Sequence, residues 1–271
     1  MEPAVTIAGY WLLFAGTHIG LASAPVRTRL VQRLGEFGFA GLFSVVAAVA
    51  FTFLVHAYAG LRVEGGPGIG LAAVPGAREL LLVLSGLAIL LALGSLARYA
   101  ASPYAIYSDH HDGEPRGMER VSRHAFFAGM ILFGTAHALL ATRLTGTVFF
   151  GALAIFAAAG AWHQDRKLLA LRGAPYARFV AATSTIPFGA ILAGRQRLVL
   201  RELPWGHLAA ALAVALGLRQ VHGAILSAGG AWVIGVFVGG AGLLMLEGWW
   251  RARRRAQRRG GSTGATEPRH A

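Results

Sequence analysis

The stretch GMERVSRHAFFAGMILFGTAHALL, residues 117–140, passes from arginines into an unbroken apolar run that still carries two imidazoles, His124 and His137. A run of that kind reads as a helix buried in hydrocarbon. The whole chain repeats the pattern. Of its 271 residues 55% are hydrophobic and only 14% are charged, against about 25% charged in a soluble domain. The fold class is therefore all-α, a polytopic transmembrane helical bundle in residues 1–250. About seven spans are expected (six to seven), near 4–24, 37–60, 77–100, 124–142, 146–163, 205–226 and 229–250.

Orientation follows from charge. With seven spans, 21 of the 25 Lys and Arg fall on one side of the membrane. Arg62, Arg78 and Arg143 fall on the other, and Arg219 lies within a span. The positive-inside bias makes the rich side cytoplasmic, the N-terminus outside and the C-terminus inside. The expected location is the inner membrane, multi-pass, with the lipid bilayer as the main partner. Net charge of +13 might otherwise suggest nucleic acid, but its loop-by-loop distribution is that of topology, so no nucleic acid is expected. Residues 251–271 form a basic, then Gly/Ser/Thr-rich tail expected to be disordered and to meet anionic lipids. DRKLLALRGAPYARFVA (165–181) alternates apolar residues with arginines. It reads as the start of an interfacial amphipathic segment covering about 165–200.

The chain has no cysteine. Disulfides, thiolate ligands and cysteine-held clusters are excluded, so a metal would need His, Met, Tyr or carboxylate. Intramembrane polar groups are costly and mark function or interhelical hydrogen bonds. His18, His56, His124, His137 and His222 are the candidates. His124 and His137 lie about 140° apart around one helix and about 20 Å apart along it, so they do not share a site. His124 is expected at the interface with Arg123. His137 needs a partner, and His18 is the first choice; the alternate ligand histidines are His56, His222 and His124. Small residues flank both at the same offsets: Ala15 and Ala22 around His18, Gly134 and Ala141 around His137. They would admit a flat macrocycle or simply close helix packing. Phe14 and Phe133 precede the two histidines by four residues and could line a pocket. Met130 is a further ligand type on nearly the face of His137. SDHHDGEP (108–115) has metal-ligand composition through Asp109, His110, His111 and Asp112, but adjacent residues seldom converge on one ion, and a solvated turn is expected.

HIGLAS (18–23), RLGEFGFAGLFSVVA (33–47), VSRH (121–124) and AHALL (136–140) resemble the NnrU family of membrane proteins. WHQDRKLLALRG (162–173) and TSTIPFGAILAGRQ (183–196) extend the likeness to its branch of 15-cis-zeta-carotene isomerases. The resemblance covers most of residues 10–225. It implies haem b held by histidines that fall on His18 and His137, and a cis–trans isomerisation of a linear 15-cis carotene, an apolar polyene. His56, His124 and His222 match the family's other shared histidines. The isomerases carry a histidine pair where this chain has Phe156 and Ala157, which puts ligand switching in doubt. The wider family implies an alternative, a non-enzymatic haem or nitric-oxide-related accessory protein linked to denitrification. A second alternative is a membrane S-adenosylmethionine-dependent methyltransferase, which Arg123–His124 and the downstream segment also resemble. There Ala125 replaces a proline, and Asp165–Arg166 replaces an acidic pair.

Overall fold

The structure is a computed structural model that describes residues 2–97 and 114–240, together with 242, 243, 246 and 250. The Asp109–Asp112 turn and the 251–271 tail lie outside the described residues. All the regular elements described are helical: α1 (Pro3–Ala22), α2 (Ala24–Leu61), α3 (Ala77–Gly94), α4 (Met118–Val121), α5 (Ala125–Leu140), α6 (Leu144–Arg172), α7 (Ala174–Ala182), α8 (Gly189–Leu192) and α9 (Trp205–Ser227). Among the described residues, α1, α2, α3, α6 and residues 205–225 of α9 are long and apolar enough to cross a membrane. Ala125–Leu140 and Ala231–Gly240 are apolar but shorter. At 1.5 Å per residue, the 16 residues of α5 reach about 24 Å, less than the roughly 30 Å of a hydrocarbon core.

Two boundaries differ from the expected spans. α2 breaks at Gly35, where φ is 71° and ψ is 170°. Glycine alone takes that geometry without steric cost, and it separates the basic stretch of residues 27–33 from the apolar run of 36–60. α6 continues past residue 163 to Arg172, so residues 165–172 of the segment read as interfacial extend that helix.

The chain divides into two compact units, residues 1–12 with 57–229 and residues 13–56 with 230–271. In the first, α5 lies between α3 and α6. Small residues make this possible. A Cβ on Gly129 would stand 2.5 Å from the Ala88 carbonyl oxygen of α3, and one on Gly134 would stand 2.7 Å from the Phe150 carbonyl oxygen of α6. Gly134, a candidate for macrocycle clearance, is thus taken up by close helix packing. α9 packs on α3, with Leu208 filling the space that a side chain at Gly94 would need. The loop between α2 and α3 is stitched to the α5–α6 turn by Gly68 N–H to Thr142 O, Gly70 N–H to Ala141 O and Leu144 N–H to Gly66 O, each 2.9 Å. Trp11 sets its ring 5.8 Å from Phe149 and 6.0 Å from Phe156.

In the second unit, Phe14 and Phe51 pack at 5.9 Å, and Phe51 and Phe237 at 5.4 Å. Arg27 meets Glu36 at 2.7 Å across the Gly35 break. Its guanidinium also covers the Phe39 ring at 5.4 Å.

Candidate functional site

His137 occupies the last turn of α5. Its Nδ1 lies 2.9 Å from the Phe133 carbonyl oxygen one turn back. The Nδ1–H tautomer donates there, which directs the Nε2 lone pair away from the helix. Ligand histidines are commonly fixed in this way. The Phe133 ring sits 3.9 Å away and the Phe150 ring 4.8 Å away. His222 of α9 brings its ring centroid to 6.5 Å with an interplanar angle of 29°. It can do so because Leu208, Ala211, Ala215 and His222 form one stripe at helical spacing, and Ala211 is buried against the neighbouring helix.

The donor set suits haem iron: imidazoles, aromatic walls and no competing carboxylate beside them. Among the described residues no group of three or more His, Cys, Asp or Glu could hold a free metal ion.

His18 lies in the other unit, in the last turn of α1. Phe14 packs on it at 5.4 Å and Phe43 at 4.7 Å, edge-on. Each of the two histidines thus has the aromatic four residues earlier against its ring. His56 is exposed on α2. Phe156 meets Trp11, and Ala157 is buried.

His124 stands with Arg123 at a shared carboxylate. It is fully buried, 0% exposed, just before α5. Its Nε2 is 2.8 Å from Asp165 Oδ1 on α6. Arg123 grips the same carboxylate, with Nη2 2.7 Å and Nε 3.1 Å from Oδ2. The Tyr176 hydroxyl donates to Oδ1 at 2.7 Å. A largely covered carboxylate needs several donors, and Arg123, His124 and Tyr176 supply them here. Tyr176, Phe179 and Leu168 form a small apolar core directly beside it. The role of Asp165 and Tyr176 was missed in the sequence. The available signal was an aspartate just inside the end of an apolar helix, which requires a cationic partner.

A second polar cluster sits outside the spans. Arg120 Nε donates to Glu202 Oε2 at 2.8 Å, and its Nη1 donates to Gln196 Oε1 at 2.8 Å. The Gly117 N–H donates to the same Glu202 oxygen at 3.0 Å. The Arg120 hydrogen bond, aided by that amide, holds the Glu202 carboxyl below the usual carboxylate range. A carboxyl with a lowered folded-state pKa contributes stability above its unfolded pKa and loses it as pH falls through the folded value. The protection factor of the Gly117 amide in hydrogen exchange should therefore be steady at neutral pH and fall in acid. Glu202→Gln should remove that pH dependence. A Gly117 protection factor that stays flat into acid in the unsubstituted protein would rule the linkage out.

A family profile described as NnrU protein matches residues 6–238. The chain belongs to the NnrU family. Curated relatives of this NnrU chain include the chloroplastic 15-cis-zeta-carotene isomerase of Arabidopsis thaliana, 29% identical over 199 residues. That match covers 72% of this chain and 52% of the relative. The enzyme of the same name from Zea mays is 27% identical over 190 residues, covering 69% and 50% respectively. The NnrU chain spans about half the length of the curated relatives it matches. No solved structure matches it.

Proposed function

We propose that this chain is a membrane isomerase of the zeta-carotene-isomerase type, which binds haem b through intramembrane histidines and acts on a linear 15-cis polyene. The relatives support the reaction class. The observation that carries the site is His137, with Nδ1 fixed on a backbone carbonyl and its ring among aromatics. When bound, haem iron supplies redox-dependent electronics for rotation about a double bond. The protein's own groups hold the iron and offer an apolar lining. A hydrocarbon substrate asks for no acid, base or nucleophile. In this reading the seven apolar helices all cross an inner membrane, with the arginine-rich side cytoplasmic.

The resemblance assigns His18 as the second ligand. His222, whose ring centroid lies 6.5 Å from that of His137, is the alternative partner. Purified protein should show a Soret band and a pyridine haemochrome of b type. His137→Ala should lose most of the haem. The second large loss should come from either His18→Ala or His222→Ala, which names the partner. Haem retained in all three variants, or absent from the unsubstituted protein, would discard the site. Turnover of a 15-cis carotene in detergent separates the isomerase from the haem-binding accessory role. The methyltransferase reading gains no support from the Asp165 cluster. Both carboxylate oxygens are occupied by Arg123, His124 and Tyr176, so no free carboxylate faces a sulfonium.

A further inference from the structure

Within the expected interfacial segment of residues 165–200, α7 turns two of its large apolar residues inward. In α7 the apolar residues Tyr176 and Phe179 are buried on Leu168. Beyond α7 a further set of large apolar side chains is exposed. Ile186 is 73% exposed, Phe188 45% and Leu192 86%. They sit on a backbone that is held firmly. The Arg123 N–H donates to Ser184 O at 2.9 Å, and the Phe188 N–H to Val121 O at 2.8 Å. Ser122 Oγ donates to Thr185 O at 2.7 Å. Arg195 Nη1 clamps the entry through Ala181 O at 2.6 Å and Thr183 O at 2.9 Å. Ala190 O closes the exit, accepting from the Arg195 and Gln196 N–H groups at 2.9 and 3.1 Å.

Phe188 is held at φ 62°, and among the described residues it is the non-glycine residue with positive φ. That conformation is strained for a bulky residue and persists only where the surroundings enforce it. Three large apolar side chains are thus displayed on a pinned loop. Water is a poor medium for such a patch. The segment connects α6 to α9, two helices long and apolar enough to cross a membrane, so it stands at a membrane surface. Arg178, Arg195, Arg197 and Arg201 surround it in sequence. Apolar tips with arginines around them match the acyl and phosphate layers of a leaflet.

We propose that residues 186–192 form a rigid wedge that inserts Ile186, Phe188 and Leu192 into the leaflet on the basic side, with Arg195 and Arg197 at phosphate depth. The wedge names seven residues within 165–200 as an insertion point and does not depend on haem. The absence of cysteine from the chain makes the test direct. Ile186→Cys, Leu192→Cys and Arg197→Cys each carry one nitroxide in the full chain, reconstituted in vesicles of phosphatidylcholine and phosphatidylglycerol. Power saturation should show positions 186 and 192 several-fold more accessible to oxygen than to an aqueous nickel chelate. Position 197 should show the reverse preference. Nickel access at 186 and 192 equal to or above that of oxygen overturns the wedge. Shielding of both positions from both reagents, as a covering protein would produce, overturns it too.

Discussion

A leucine at Gly129 or at Gly134 is expected to prevent α5 from seating between α3 and α6. At Gly129 even a Cβ would come 2.5 Å from Ala88 O and 2.8 Å from Ala92 N. At Gly134 it would come 2.7 Å from Phe150 O and 2.9 Å from Ala154 N. These neighbours are backbone atoms, which cannot rotate aside as a side chain can. Overpacking usually costs about 1–3 kcal/mol when side chains can adjust, so here a loss of about 3 kcal/mol or more per site is expected. Gly86→Leu on α3 is the matched control, because nothing lies within 4 Å of its Cβ position. In detergent, the two α5 variants should aggregate on size exclusion or unfold at much lower SDS fraction, while Gly86→Leu runs as the unsubstituted protein. If all three behave alike, the α3–α5–α6 packing described above is wrong. The same variants bear on function, since His137 rides on α5 two turns beyond Gly129, and a displaced α5 would separate it from His222.

The second large effect is expected at Asp165. Asp165→Asn keeps the shape of the side chain and removes the charge shared by Arg123, His124 and Tyr176. Arg123 then keeps a largely covered guanidinium without a counter-ion. Removing one partner of a buried pair costs about 3–5 kcal/mol. With the Arg123 and Asp165 side chains 13% and 15% exposed, a loss nearer 2–3 kcal/mol is expected after solvent screening. Tyr176→Phe deletes one hydrogen bond and should cost about 1 kcal/mol. SDS unfolding midpoints should follow the order unsubstituted, Tyr176→Phe, Asp165→Asn. A normal midpoint for Asp165→Asn would show that the cluster holds nothing together. Under the proposed haem site, haem content per folded molecule should not change in either variant, because His124 and His137 lie about 20 Å apart along the chain of α5. Haem loss in Asp165→Asn at full folding would contradict that separation.

The positions of the helices were legible in the residues alone. The apolar blocks at 4–24, 77–100, 146–163 and 205–226 each fall on α1, α3, α6 or α9, because hydrocarbon admits few structures other than helices that satisfy their own backbone. The family was legible too, through strings such as TSTIPFGAILAGRQ that no packing rule requires. The aromatic partners of His18 and His137 were readable as i−4 neighbours, a relation internal to one helix. What the residues could not reveal was which faces meet. A helix that is apolar around its whole circumference carries no amphipathic stripe to mark its inner side. His222 therefore gave no sign that it lies beside His137, and Gly134 no sign that its missing side chain serves α6. His124 gave no sign that α6 brings Asp165 to it. Local spacing and hydrophobicity determine what each segment becomes in a bilayer. Which polar groups find one another depends on close approach between helices, and that is decided by shape and by the need to pair every buried charge, neither of which can be read along a single helix.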